Sequence, residues 1–265
     1  VNWLLISIGL FTGFLVGLTG IGSGAMMSLI LLFFIKVPAN LAVGTSLLFA
    51  AVTKVAAAKI FYQQNLIDWT VVSIMWIGSL SASVATIIWL GSLSTTMQDV
   101  SLIKQMIAGG ILIAVMSLFL QPTIQVLSER RFVANGQNII WSQILLTILS
   151  GIALGMLVTL TSVGLGALSL IILTQLYPNR MTPPNLVATN LVHAVPLALF
   201  AGIGHLFLGN VDFVTLFSLL LGSIPGSILG ALLAVVMPHP SLRNVLSATL
   251  WVFGLPLWWS ILPST

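Results

Sequence analysis

Two glycine clusters frame the residues able to do chemistry in this chain. Gly17-Leu18-Thr19-Gly20-Ile21-Gly22-Ser23-Gly24 interrupts an apolar run from Trp3 to Ile35. Thr161-Ser162-Val163-Gly164-Leu165-Gly166 interrupts a second run over residues 139–177. Unbroken, the first run would make a helix about 50 Å long against about 30 Å of hydrocarbon. Glycine weakens helices, so the run reads as two short ones, about 3–18 and 23–35, joined at the break. A helix that starts inside a bilayer points unpaired N–H groups and partial positive charge into the protein, which suits an anion. Gly20, Gly22, Ser23 and Gly24 are candidate ligands from the first break. Thr161, Ser162, Gly164 and Gly166 are candidates from the second. The plainer alternative is that these glycines only let helices pack closely.

Four more polar residues lie one turn into the helices that follow. Thr45 and Ser46 come after Val37-Pro38-Ala39-Asn40, and Thr189 and Asn190 after Thr182-Pro183-Pro184-Asn185. They either line a path or hydrogen-bond back to the preceding turn. His193 is the only histidine deep in a span, and Pro196 close after it frees a backbone carbonyl. It is a candidate anion ligand when protonated, a proton shuttle, or a neutral imidazole bonded to a neighbouring helix. Lys54 is either a fixed positive charge for the anion or a snorkelling side chain reaching the membrane face. Lys36 and Arg180 read as interface anchors, and Asp68 and Asp212 as N-caps. Three scattered histidines, four acids and no cysteine offer no metal-ligand spacing, and no cofactor is expected.

These candidates need a membrane scaffold. Of 265 residues, 58% are hydrophobic and 5% charged, and mean hydropathy is +1.18. Eight basic and four acidic residues cannot coat a soluble globule of this size, so a soluble enzyme and a nucleic-acid binder are both disfavoured. The segment from Trp3 lacks a basic n-region and a small-residue cleavage site, and reads as membrane structure. Further spans are expected at about 39–61, 69–91, 104–121, 185–208, 213–237 and 243–262. Gly222, Gly226 and Gly230, and Gly78, Ala82 and Thr86, mark close helix contacts. Trp3, Trp69, Trp89, Trp141, Trp258 and Trp259 fall near segment ends, as interface anchors do.

The second half repeats the first. An offset of 144 pairs Gly20 with Gly164, Gly22 with Gly166, Lys36 with Arg180, Thr45 with Thr189 and Asp68 with Asp212. Charges are rare here, so the paired charges argue against chance likeness between apolar runs. The chain divides into a first repeat over 1–121, a polar connection over 122–138 and a second repeat over 139–265. If each broken run is a hairpin, three further spans make each half odd and the halves inverted. Five basic residues then fall inside and two outside, against four and three if each run were one span. Both termini are then expected outside. The expected fold is an all-α polytopic bundle of two inverted repeats, each a Gly-broken hairpin plus three spanning helices. Such repeats with broken helices are a known transporter plan.

The motifs together resemble a known family. Gly20-x-Gly22-x-Gly24, Pro38, Val43-Gly44-Thr45-Ser46 and Leu66-Ile67-Asp68-Trp69 are similar to the first half of the TauE/SafE sulfite exporter family. Val187-Ala188-Thr189-Asn190-Leu191-Val192-His193-Ala194, Gly209-Asn210-Val211-Asp212 and Gly222-Ser223-Ile224-Pro225-Gly226 are similar to its second half. The resemblance implies a carrier exporting sulfur-containing or organic anions, such as sulfite, sulfoacetate or related sulfonates. It implies a multi-pass protein of the cell membrane, the inner membrane of a bacterium. Ser23 stands where a further glycine is usual. Asn190 stands where an acid is frequent, which removes the group that carboxylate-based proton coupling would use. The expected partners are a small anion, the lipid bilayer and a coupling ion, either proton or sodium; no oligomeric state follows. A passive anion channel is the nearest alternative. An intramembrane serine hydrolase would need Ser23 and His193 within hydrogen-bond reach.

Overall fold

The computed structural model describes residues 3–21, 23–92, 141–162, 164–178, 180–238 and 241. The expected spans 104–121 and 243–262, the connection 122–138, Gly22, and the basic residues Lys104, Arg130, Arg131 and Arg243 lie outside the described residues. Among the described residues all regular structure is helical. Helix α1 is Trp3–Thr19, and α2, Ala25–Leu29, runs on as a π-helical turn over Ile30–Phe34. Then come α3, Ala39–Gln63, and α4, Trp69–Ser92. The second half has α5, Trp141–Thr161; α6, Ala167–Leu176; α7, Pro183–Phe207; and α8, Phe213–Val236. Five of these, α3, α4, α5, α7 and α8, are long and apolar enough to cross a membrane.

Local chemistry explains the boundaries. Pro183 opens α7, where its missing N–H costs nothing. The Asp212 carboxylate caps α8 by accepting from the Val214 and Thr215 amides, and Asp68 accepts from Val71 at 3.3 Å in the first turn of α4. The breaks begin in left-handed backbone, φ 71° at Gly20 and 59° at Ser162, directly after α1 and α5.

Lipid gives helices little hydrophobic reason to associate, so small residues set which ones pair. Helix α1 lies on α8, backbone to backbone: a Cβ added at Gly222 would sit 2.0 Å from the Ile6 carbonyl oxygen, and one at Gly13 2.3 Å from that of Ser223. Helix α4 lies on α5 in the same way, with Gly155 against Ser79 and Gly78 against Ile148. Each first helix of one half thus pairs with the last described helix of the other. Helices α3 and α7 are the most buried spans and run antiparallel between these pairs. Thr45, near the start of α3, meets Asp212 just past the end of α7. Thr189, near the start of α7, meets Asp68 just past the end of α3. The exposed Trp3, Trp69, Trp89 and Trp141 lie near helix ends, as interface anchors do.

One register differs from the sequence expectation. Helices α3 and α7 start 144 residues apart, but α2 and α6 start 142 apart, at Ala25 and Ala167. At the breaks Gly20 therefore corresponds to Ser162, with which it shares left-handed backbone, and not to Gly164. The second half carries two more residues between its break helix and the next span.

Candidate anion site at the crossing of the breaks

The two breaks cross with backbone on backbone. A Cβ at Gly24 would fall 1.9 Å from the Ser162 carbonyl oxygen, and one at Gly166 2.6 Å from that of Gly20. Only residues without a side chain fit there. Lys54 enters this crossing from α3. It is 0% exposed, and its Nζ donates to the Gly20 carbonyl at 2.8 Å and the Leu165 carbonyl at 3.1 Å, one from each break. The ammonium is turned into the crossing instead of snorkelling to a membrane face. A lysine has three N–H donors, and these bonds use two.

Asn190 and Ser46 do matching work from α7 and α3. Asn190 Nδ2 donates to the Gly166 carbonyl at 3.1 Å and approaches that of Gly20 at 3.4 Å, while its Oδ1 accepts from Ser169 Oγ. Ser46 Oγ lies 2.8 Å from Ser162 Oγ and 2.7 Å from Ser28 Oγ. Each residue thus ties the break helix of its own half to the break of the other. Thr19 closes the first break from α1, its hydroxyl accepting the Ile21 amide at 3.1 Å. Ser23 is fully buried, and its Oγ has no partner among the described residues.

The other candidates take different partners. The Thr45 hydroxyl accepts the Asp212 amide at 2.9 Å and that of Thr189 accepts the Asp68 amide at 3.1 Å, so both fasten corners between the halves. Thr161 Oγ1 donates to the Leu157 carbonyl one turn back. An added Cβ at Gly164 would meet Leu168 and Leu157. His193 is buried on α7, with Nε2 3.0 Å from Ser79 Oγ on α4 and Nδ1 without a partner among the described residues. Trp76 Nε1 donates to its carbonyl at 3.1 Å. Its hydroxyl neighbour is Ser79, and not the Ser23 that a hydrolytic dyad would need. Ser28, Ser169 and Thr19 were not among the expected ligands. Their signal was position: each is a lone hydroxyl at or within a turn or so of a break in an apolar run.

Charge is the sharpest property of the site. The described acids are Asp68 and Asp212, both at helix starts; Asp99 and Glu129 lie outside the described residues. Asp68 is taken by Arg180, Nε to Oδ2 at 2.5 Å. That hydrogen bond raises the Arg180 guanidinium above its ordinary value, with partial burial working against it. Among the described residues Lys54 therefore has no acid beside it. No group of three or more His, Asp or Glu among the described residues could hold a metal ion.

The chain matches the TauE/SafE sulfite exporter family over residues 5–257. It is 31% identical to the probable membrane transporter protein YjnA of Bacillus subtilis (strain 168), over 96% of this chain and 98% of that one. It is 25% identical to the probable membrane transporter protein YdhB of the same strain, over 96% and 99%. No solved structure matches. These relatives are named as transporters and not as enzymes. With helices long enough to span a bilayer several times and a match along nearly its whole length, the chain belongs to the TauE/SafE sulfite exporter family of membrane transporters.

Proposed function

We propose that the protein is an alternating-access carrier that exports small sulfur-containing or organic anions, such as sulfite, sulfoacetate or related sulfonates, across the cell membrane. The observation that carries this reading is Lys54, a buried amine bridging both breaks with no acid beside it among the described residues. A buried charge is costly unless it is paired. Carbonyl oxygens soften that cost but supply no negative charge, and a bound anion does. Its ligands are the third N–H of Lys54, the free Ser23 hydroxyl and the first amides of α2 and α6. Lys54 keeps its two carbonyl bonds and gives the anion only its third N–H, a hold that a carrier is able to release.

Inverted repeats suit this role, because two copies facing opposite ways let one site open to either side. The antiparallel course of α3 and α7 and the mirrored pairing of α1 with α8 and α5 with α4 support that arrangement. With repeats over 1–121 and 139–265, joined by 122–138, both termini share one side, and the excess of basic residues on the other makes theirs the outer one in this reading. His193 and Ser79 are the pair to which we assign coupling by a proton; sodium is the alternative coupling ion. Purified protein in proteoliposomes tests the reading. Anion flux is expected to saturate and to show counterflow. Flux that stays linear with concentration and shows no counterflow would identify a channel.

A further inference from the structure

The two corners that join the halves are built alike except for one ion pair. At the first, Thr189 accepts the Asp68 amide at 3.1 Å, and Arg180 grips the Asp68 carboxylate through Nε at 2.5 Å and a second nitrogen at 3.2 Å. At the second, Thr45 accepts the Asp212 amide at 2.9 Å. Lys36 stands 144 residues before Arg180, and Asp212 stands 144 residues after Asp68. Yet Lys36 is exposed and makes no ion pair among the described residues. Asp212 turns both carboxylate oxygens to its own helix, Oδ1 to the Val214 and Thr215 amides and Oδ2 to Thr215 Oγ1 at 2.6 Å. A neutral bond, Asn40 Nδ2 to Asn210 Oδ1 at 2.7 Å, bridges this corner instead.

Both charges belong to this corner: Lys36 lies four residues before Asn40 and Asp212 two after Asn210, the two ends of that bond, and Ile35, Val37 and Val211 pack against one apolar cluster. Lys36 is held in left-handed backbone at φ 59°, a conformation few residues with a Cβ adopt. Asp212 does not have to give up its cap to change partner. Asp68 shows how: its Oδ1 accepts from Val71 while its Oδ2 takes Arg180.

We propose that Lys36 and Asp212 form a second gate pair, which closes when Arg180 and Asp68 part, so that the two ion pairs alternate as the carrier switches sides. This rests on the alternating-access reading. In a carrier made of inverted copies, the second end state arises when the halves exchange conformations. An ion pair present at one corner in one state then has its counterpart at the other corner in the other state. One partly exposed ion pair made for one broken keeps the two states close in free energy, as cycling requires.

The test uses reagent access. The sequence has no cysteine, so Ser23→Cys supplies a single reporter beside the crossing. While Arg180–Asp68 is closed, only the Lys36 face is able to open, so a membrane-impermeant thiosulfonate should reach the reporter, buried in the structure described, when that face opens. Lys36→Gln removes the second gate and should raise labelling from that face about fivefold. Arg180→Gln should lower it by a similar factor, and the double variant should return to the parent value. Lys36 is exposed, so Lys36→Gln decides the matter even if Arg180→Gln fails to fold. No change with Lys36→Gln, or shifts of the same sign in both variants, would overturn the gate. Opposed, cancelling shifts, together with a parent protein with Ser23 intact that moves none of the proposed anions, would uphold the gate and sink the anion reading.

Discussion

Replacing Lys54 by Met keeps most of the side-chain volume and removes the charge on which anion binding is argued to rest. The magnitude follows from the geometry. Two unit charges about 4 Å apart interact by about 4 kcal/mol at an effective dielectric constant of about 20. At about 1.4 kcal/mol per tenfold, and allowing for water that enters the vacated space, affinity should fall roughly a hundred- to a thousandfold. Stability without anion is a separate matter. The variant strands the Gly20 and Leu165 carbonyls, at about 1–3 kcal/mol each, but no longer buries a cation, and these terms oppose one another. The informative quantity is therefore the increment that anion adds. At one hundred times its Kd, anion stabilises the parent by about 2.7 kcal/mol. That is about 5–11 °C in unfolding midpoint, at about 2–4 °C per kcal/mol. At the same concentration the Lys54→Met increment should be about 0.4 kcal/mol or less, under about 2 °C. The assay is thermal unfolding of detergent-solubilised protein, titrated with sulfite, sulfoacetate and other sulfonates, with Lys54→Arg as the charge-retaining control. An anion increment in Lys54→Met equal to the parent's would refute the reasoning, because it would mean that the anion does not sense this charge.

Other substitutions separate the crossing from its supports. Gly24→Ala drives a Cβ against the Ser162 backbone and should abolish folded protein in fluorescence-detected size exclusion, whereas Gly91→Ala, whose nearest neighbour is 3.9 Å away, should be tolerated. Thr45→Val and Thr189→Val each remove the acceptor of a backbone amide and should lower stability by about 1–3 kcal/mol in thermal unfolding, with anion affinity unchanged. His193→Gln can keep a bond to Ser79; in proteoliposomes counterflow should survive while accumulation driven by a pH gradient is lost.

Much of this was legible in the sequence, for physical reasons that differ by feature. The breaks were readable because four glycines in eight residues cannot hold a helix across a bilayer. The close pairing through Gly222, Gly226 and Gly230 was readable because small residues four apart make one smooth face. The Asp212 cap was readable because it uses only its own first turn. What depended on distant partners was hidden. Lys54 binds carbonyls 34 and 111 residues away, so its choice between snorkelling and the crossing could not be read locally. Thr45 and Thr189 read as lining a path or bonding to the preceding turn, and their corner contacts were hidden because the amide partners are 167 and 121 residues away in sequence. Pairing glycine with glycine gave an offset of 144 at the breaks, where the helix starts follow 142, because composition cannot reveal a two-residue difference in a connection.

The central claim is a position: an anion at the crossing of the two breaks, on Lys54. Anomalous diffraction from crystals grown with a brominated alkanesulfonate tests it most directly, because the bromine marks the ligand independently of any interpretation of the protein density. The predicted result is a bromine peak near the crossing, with the sulfonate within hydrogen-bond distance of Lys54 Nζ and Ser23 Oγ. A peak at the Lys36 or Arg180 corner, with nothing at the crossing, would contradict it.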